Sequence, residues 1–212
     1  MDILLQILFE SPVKIRLLRL FMQNQDRDFT IQEIEQLIQI KRASFSRETN
    51  KLIKAGLVKQ RLGVPRETKK EPSDTPKKKK TASKTKKIVY YSVNTEFPVF
   101  RELYDLIIKS STASRKKILH NIKHLGKIRL AVLAGIFLND ETARLDLMIV
   151  GDDIKKRALD KFLIITESEI GKTLRYSVMD TDEFRYRMNM YDRFLRDVLE
   201  HKHEKLINKF SI

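Results

Sequence analysis

Residues 43–63 read ASFSRETNKLIKAGLVKQRLG, and the order of residue types in this stretch decides how the amino-terminal half is built. Phe45, Thr49, Leu52 and Ile53 recur at helical spacing, which predicts a helix over residues 42–55 with one apolar face. Gly56 follows, the residue suited to a left-handed C-terminal cap. The opposite face carries Ser46, Arg47, Asn50, Lys51 and Lys54, all polar or cationic. Residues 57–62 are then β-prone, as are residues 88–93, and the two runs read as a hairpin with an overgrown tip.

On the amino-terminal side, Ser11-Pro12 has the chemistry of a helix start, and Val13, Leu17, Leu20 and Phe21 mark a buried face as far as about Gln23. Thr30 caps a second, shorter helix with the stripe Ile31, Ile34, Leu37 and Ile38, and Glu33 offers the reciprocal capping partner. Between the strands, residues 63–87 read GVPRETKKEPSDTPKKKKTASKTKK, with ten basic side chains, three acidic ones and three prolines. With almost no apolar side chains the segment cannot pack a core, so a mobile, solvated basic loop is expected.

Towards the carboxyl terminus, helices are expected over 99–108 and 114–125, β-runs over 128–138 and 143–150, a helix over 154–170, a strand over 173–179 and a last helix over 182–207. Helices between strands indicate a second, α/β domain. In the last helix Phe184, Met188, Tyr191, Leu195 and Val198 step by four and three residues. That seam reads as core, Met188 and Tyr191 included, with a partner or self-association as the other reading.

Composition removes several classes of function. The 212 residues are 42% hydrophobic, ordinary for a globular chain, and no 20–50-residue period recurs. With no cysteine there is no disulfide framework, thiolate zinc site or cysteine nucleophile. The longest apolar run, residues 130–138, falls well short of the about 20 residues of a membrane span. The first residues carry an acid where a secretory leader carries cations, so the cytoplasm is the expected compartment. Residues 1–93 hold 21 basic against 10 acidic side chains, whereas the remainder holds 22 against 18, so the first half is where a polyanion is expected to bind.

Three helices followed by a two-stranded hairpin is the order of a winged helix-turn-helix domain, and residues 43–63 resemble the recognition helix and first wing strand of bacterial winged-helix regulators of the arsenic-repressor type. Residues 90–107, YYSVNTEFPVFRELYDLI, are similar to the linker that joins, in one set of prokaryotic proteins, a winged helix to a small nucleotidyltransferase domain of the DNA polymerase beta superfamily. The resemblance implies an α+β fold: a winged helix over 1–93 with a disordered basic wing loop at 63–87, a helical linker over 94–126, and an α/β nucleotidyltransferase-like domain with flanking helices over 127–212.

In that superfamily one strand ends in Gly-Ser, which holds nucleotide phosphate, and the next carries Asp-x-Asp, whose carboxylates share divalent metals. The corresponding residues here, 134–147, read AGIFLNDETARLDL. Gly135 is kept, Ile136 stands in place of serine and Arg144 in place of the first aspartate, leaving Asp146 alone. The expectation is a degenerate nucleotide site of Gly135, Arg144 and Asp146 with no catalysis, metal or cofactor, and with Arg144 and Asp146 paired on a strand face. Asp152 and Asp153 read as capping charges for the following helix, the alternative being a substitute carboxylate pair. His120 and His124 have zinc-compatible spacing, and His201 and His203 fall in the last helix, but without H-E-x-x-H they read as solvated or phosphate-facing.

The function implied is that of a DNA-binding transcriptional regulator with a pseudoenzyme domain. Arg47 and Asn50 are the candidate base readers, since arginine pairs with guanine and asparagine with adenine. Arg42, Ser44, Ser46, Lys51 and Lys54 are candidate phosphate contacts, joined at the wing tip by Lys77, Lys78, Lys79, Lys80, Lys84, Lys86 and Lys87. The expected partners are double-stranded DNA and a second copy of the chain, through the first helix, the last helix or both, with no membrane. The alternatives are an active nucleotidyltransferase assisted by Asp146, and an antitoxin-like interaction module with a small helical protein partner.

Overall fold

The computed structural model describes residues 2–64, 87–109, 115–140 and 142–210, and its architecture is mixed α+β with two separate sheets. A short helix, α1 (Asp2–Phe9), has no counterpart in the expectations above. It is followed by α2 (Pro12–Gln23), whose start is set by Ser11: the Lys14 amide donates to its hydroxyl at 3.2 Å. Leu17, Leu20 and Phe21 are fully buried, while Val13 only lines the edge of the core.

A two-residue strand, β1 (Phe29–Thr30), leads into α3 (Ile31–Ile38). Thr30 and Glu33 close a reciprocal box: the Glu33 amide donates to the Thr30 hydroxyl, and the Thr30 amide donates to the Glu33 carboxylate at 2.7 Å. Such a cap contributes about 1 kcal/mol. α4 (Arg42–Lys54) lies across α2 and α3 and buries Phe45, Thr49 and Leu52, with the Phe45 ring edge-on to Tyr91 at 5.2 Å. The chain turns at Gly56, φ +82°, into β2 (Val58–Gly63) and returns as β3 (Ile88–Val93), antiparallel from Val58 opposite Val93 to Gly63 opposite Ile88. β1 pairs along the other side of β3, so the sheet runs β1-β3-β2. α5 (Phe100–Lys109) lies back across α2 and buries Ile107 and Ile108 in this same core.

The second sheet has the order β6-β5-β4-β7, from β4 (Lys127–Leu133), β5 (Leu147–Asp152), β6 (Tyr176–Met179) and β7 (Glu204–Asn208). β5 and β6 are parallel, connected by α7 (Lys156–Ile170), and the other pairs are antiparallel. Ala131, Leu133, Leu147 and Ile149 face one core with α6 (Arg115–Lys123) and α7, while Leu130, Val132, Met148 and Val150 face another with α8 (Thr181–Asn189) and α9 (Arg193–Glu200). A sheet covered on both faces explains why β4 and β5 read as apolar runs without alternation. Among the described residues no helix is long and apolar enough to cross a membrane.

Three expectations for this half are corrected. The run 128–138 is a strand only to Leu133, because Gly135, φ +51°, starts a 3-10 turn over Gly135–Leu138. The runs over 143–150 and 173–179 become strands only at Leu147 and Tyr176, because the residues before them are bent around Asp146 and Arg175. The single last helix is instead α8, α9 and the edge strand β7: Tyr191 takes φ +52°, Asp192 caps α9 by accepting from the Leu195 amide at 3.0 Å, and β7 pairs with β4. Phe184, Leu195 and Val198 are buried as expected, but Tyr191 is 84% exposed at the break. His201 and His203 lie beyond α9.

The halves meet where α2 and α3 pack on α7. Arg19 Nη1 donates to the Glu169 carbonyl at 3.0 Å, and Asn24 Nδ2 to the Gly171 carbonyl at 2.8 Å. Gly171 takes φ +83°, and a Cβ there would stand 2.5 Å from the Leu20 amide nitrogen, so only glycine permits this approach.

Candidate functional site

Two arrangements carry chemistry: the outer face of α4 and the surroundings of Asp146. On α4, burial of Phe45, Thr49 and Leu52 turns Arg42, Ser46, Arg47, Asn50, Lys51 and Lys54 to solvent, with Ser44 half-buried. Not all of this charge is free. Glu48, buried on the same helix, lies 3.4 Å from Lys51 and 3.9 Å from Lys14. Arg47 and Lys54 have neither an ion pair nor a side-chain hydrogen bond among the described residues, so their donors are open to a ligand. Among the described residues no side chain caps the start of α4 at Lys41.

On the adjoining hairpin, Lys59 is paired with Glu96 at 2.8 Å, and Arg61 with Asp28 while lying over the Tyr90 ring. Lys87 is exposed at the start of β3. Lys77, Lys78, Lys79, Lys80, Lys84 and Lys86 lie outside the described residues.

Asp146 is 2% exposed and fully engaged. The Ile136 amide donates to Oδ1 at 2.9 Å and the Arg175 amide to Oδ2 at 2.9 Å, while the Arg175 guanidinium grips both oxygens at 2.9 and 3.1 Å. Burial pushes the Asp146 carboxyl up, but the Arg175 side chain, then the two amides, outweigh it and hold it below the ordinary carboxylate value. Gly135 is required beside it, since a Cβ there would collide with Asp146 Oδ1.

This corrects the pairing expected for Arg144. Its guanidinium reaches Asp197 on α9 at 3.1 Å, and the cation beside Asp146 is Arg175, which the spacing of residues 134–147 does not reveal because it arrives from the segment between α7 and β6. With four donors on its two oxygens, Asp146 offers no ready lone pair to a metal. Of the degenerate-site residues, Gly135 and Asp146 come together and Arg144 turns away.

Asp152 and Asp153 do not cap α7, whose N-cap, Lys155, makes no side-chain capping bond among the described residues. Asp152 instead accepts from the amide and hydroxyl of Thr181 at the start of α8, and Asp153 pairs with Lys127. His120 and His124 pack ring edge to face at 4.7 Å, and among the described residues no group of three or more His, Asp or Glu side chains is placed to share a metal.

Between the halves a cleft of about 620 Å³ is lined by Gln23 and Tyr104 from the first half and by Asp140, Asp146, Lys172 and Arg175 from the second. No family model, curated protein or solved structure matches this chain.

Proposed function

We propose that this chain is a transcriptional regulator that binds double-stranded DNA through a winged helix-turn-helix, with a nucleotidyltransferase-like unit that has lost catalysis. The observation that carries the reading is the outer face of α4, where Arg47 and Asn50 stand exposed between Arg42, Ser46, Lys51 and Lys54 on a helix anchored from behind by Phe45 and Leu52. An α-helix fits the major groove, and these side chains have the donors and acceptors that read base edges and hold phosphates. The order α2, α3, α4, β2, β3, with β1 completing the sheet, supports the winged-helix reading. Closure of Asp146 by Arg175 and two amides supports the loss of catalysis.

Selection from a pool of random duplexes is the test. A single consensus is expected, with Arg47→Ala and Asn50→Ala each relaxing preference at one base pair and losing about 1–3 kcal/mol. Recovery of unrelated sequences with undiminished affinity would overturn the reading.

A further inference from the structure

A second concavity, of about 280 Å³, lies along α9 and is lined by no α4 residue and not by Asp146. Its floor is buried and apolar, with Leu145 and Val198, and among the described residues that line it the rim holds Arg144, Arg193, His201 and Lys202 beside the carboxylate of Asp197. Asp197 is matched by Arg144 at 3.1 Å. Lys202 Nζ reaches the Leu138 carbonyl only at 3.4 Å and faces the Asp140 carboxylate, which Thr142 already holds through its amide and hydroxyl. His201 donates through Nδ1 to the Asp197 carbonyl at 2.6 Å, and its Nε2 has no partner among the described residues. Arg193 has no hydrogen bond or ion pair among the described residues.

The rim is therefore cationic in excess. The helix dipole accounts for part of it, because Lys202 follows the carboxyl end of α9 where cations are favoured. It does not account for Arg193, the first residue of α9, where a cation opposes the dipole. α9 itself, Arg193–Glu200, is eight residues long, about 12 Å at 1.5 Å per residue, which is longer than one phosphate group.

We propose that this groove binds a run of phosphates, the backbone of a nucleic-acid strand, through Arg193, His201 and Lys202. The inference is independent of base reading by α4. Cationic and N–H donor side chains along a groove with an apolar floor suit phosphates in sequence, and a free oligophosphate offers the same chemistry.

The test uses the full chain and its Arg193→Gln/Lys202→Gln variant, both changes being at exposed positions. Inorganic tripolyphosphate is titrated while the amide resonances of residues 193–202 are followed one by one, so that anions held by the lysines of 77–87 do not mask the groove. These amides are expected to shift in the parent and to report about tenfold weaker binding in the variant. In parallel, anisotropy with a labelled twelve-nucleotide oligothymidine is expected to show a salt slope flattened by about 1.4, two phosphates at roughly 0.7 each. Equal tripolyphosphate affinity at these amides in both proteins would overturn the proposal. Weakened tripolyphosphate binding with an unchanged oligothymidine slope would overturn the strand as ligand. Arg47→Ala is expected to leave the α9 shifts unaltered, so a failure of the α4 reading is seen separately.

Discussion

Asp146 exemplifies a side chain whose role depends on its neighbours rather than its type. Four donors converge on it, and its function here is to tie the turn after β4 to the approach of β6. Asp146→Asn keeps the shape and removes the charge, and is expected to cost about 1–2 kcal/mol while leaving DNA binding unchanged. Arg175→Ala leaves a buried carboxylate with only two amides; about 2–3 kcal/mol is expected, less than the 3–5 typical of a fully buried pair because the guanidinium is half exposed. Urea midpoints at neutral pH measure both. The acid dependence follows from the depressed carboxyl: its contribution is complete above the unfolded value of about 4 and is lost as pH falls through the lower folded value. The stability gap between the parent and Asp146→Asn should therefore narrow below pH 4. Glu33 and Asp152 are also depressed and weaken the parent in the same direction, but they cancel in this difference. Labelling of any acceptor by radioactive nucleotide, abolished in Asp146→Asn, would contradict the pseudoenzyme reading.

At the scale of elements, α2, α3, α4 and the hairpin were legible because their signals are local. Ser11 with Pro12, Thr30 with Glu33, and Gly56 each act within one helical turn. The last helix was not legible, since a four-three seam continues through Tyr191 whether or not the backbone breaks there. What breaks it is the capping of α9 by Asp192 and the demand of the β4 edge for a partner strand, met by β7. Two glycines separate local from tertiary requirements. Both have a left-handed φ, but a Cβ at Gly56 meets nothing within 4 Å, whereas one at Gly171 meets the backbone of Arg19 and Leu20. Gly56→Ala is expected to cost about 1 kcal/mol, the left-handed penalty alone. Gly171→Ala adds the expense of separating α7 from α2, for about 2–4 kcal/mol in total. Chemical denaturation of the two variants side by side checks the contrast, and equal losses would mean that the contact at Gly171 relaxes without resistance.

Over the whole molecule the excess of 15 positive charges is the dominant long-range feature. Removing residues 69–87 and joining β2 to β3 by a short turn is expected to weaken binding to every duplex and to flatten the salt dependence by several units, each neutralised phosphate contributing about 0.9. Preference among duplexes should persist, since Arg47 and Asn50 remain; equal affinity and slope would assign these lysines to solvation alone. A homodimer is the assembly expected of a regulator reading paired half-sites, and Tyr186, Met190 and Tyr191 expose apolar surface around the α8–α9 break. Light scattering at micromolar concentration, with and without DNA, should return twice the chain mass, and a monomeric mass in both would exclude it. The sequence by itself determined the capped helices, the hairpin strands and the cationic face of α4, because each depends on sterics and chemistry within a few neighbouring positions. Only the tertiary structure decided that Arg175, 29 positions from Asp146, closes that carboxylate, that Arg144 turns to Asp197, and that Gly171 seats one half on the other. Such partners are chosen by distances across the folded chain, which no periodicity along it records.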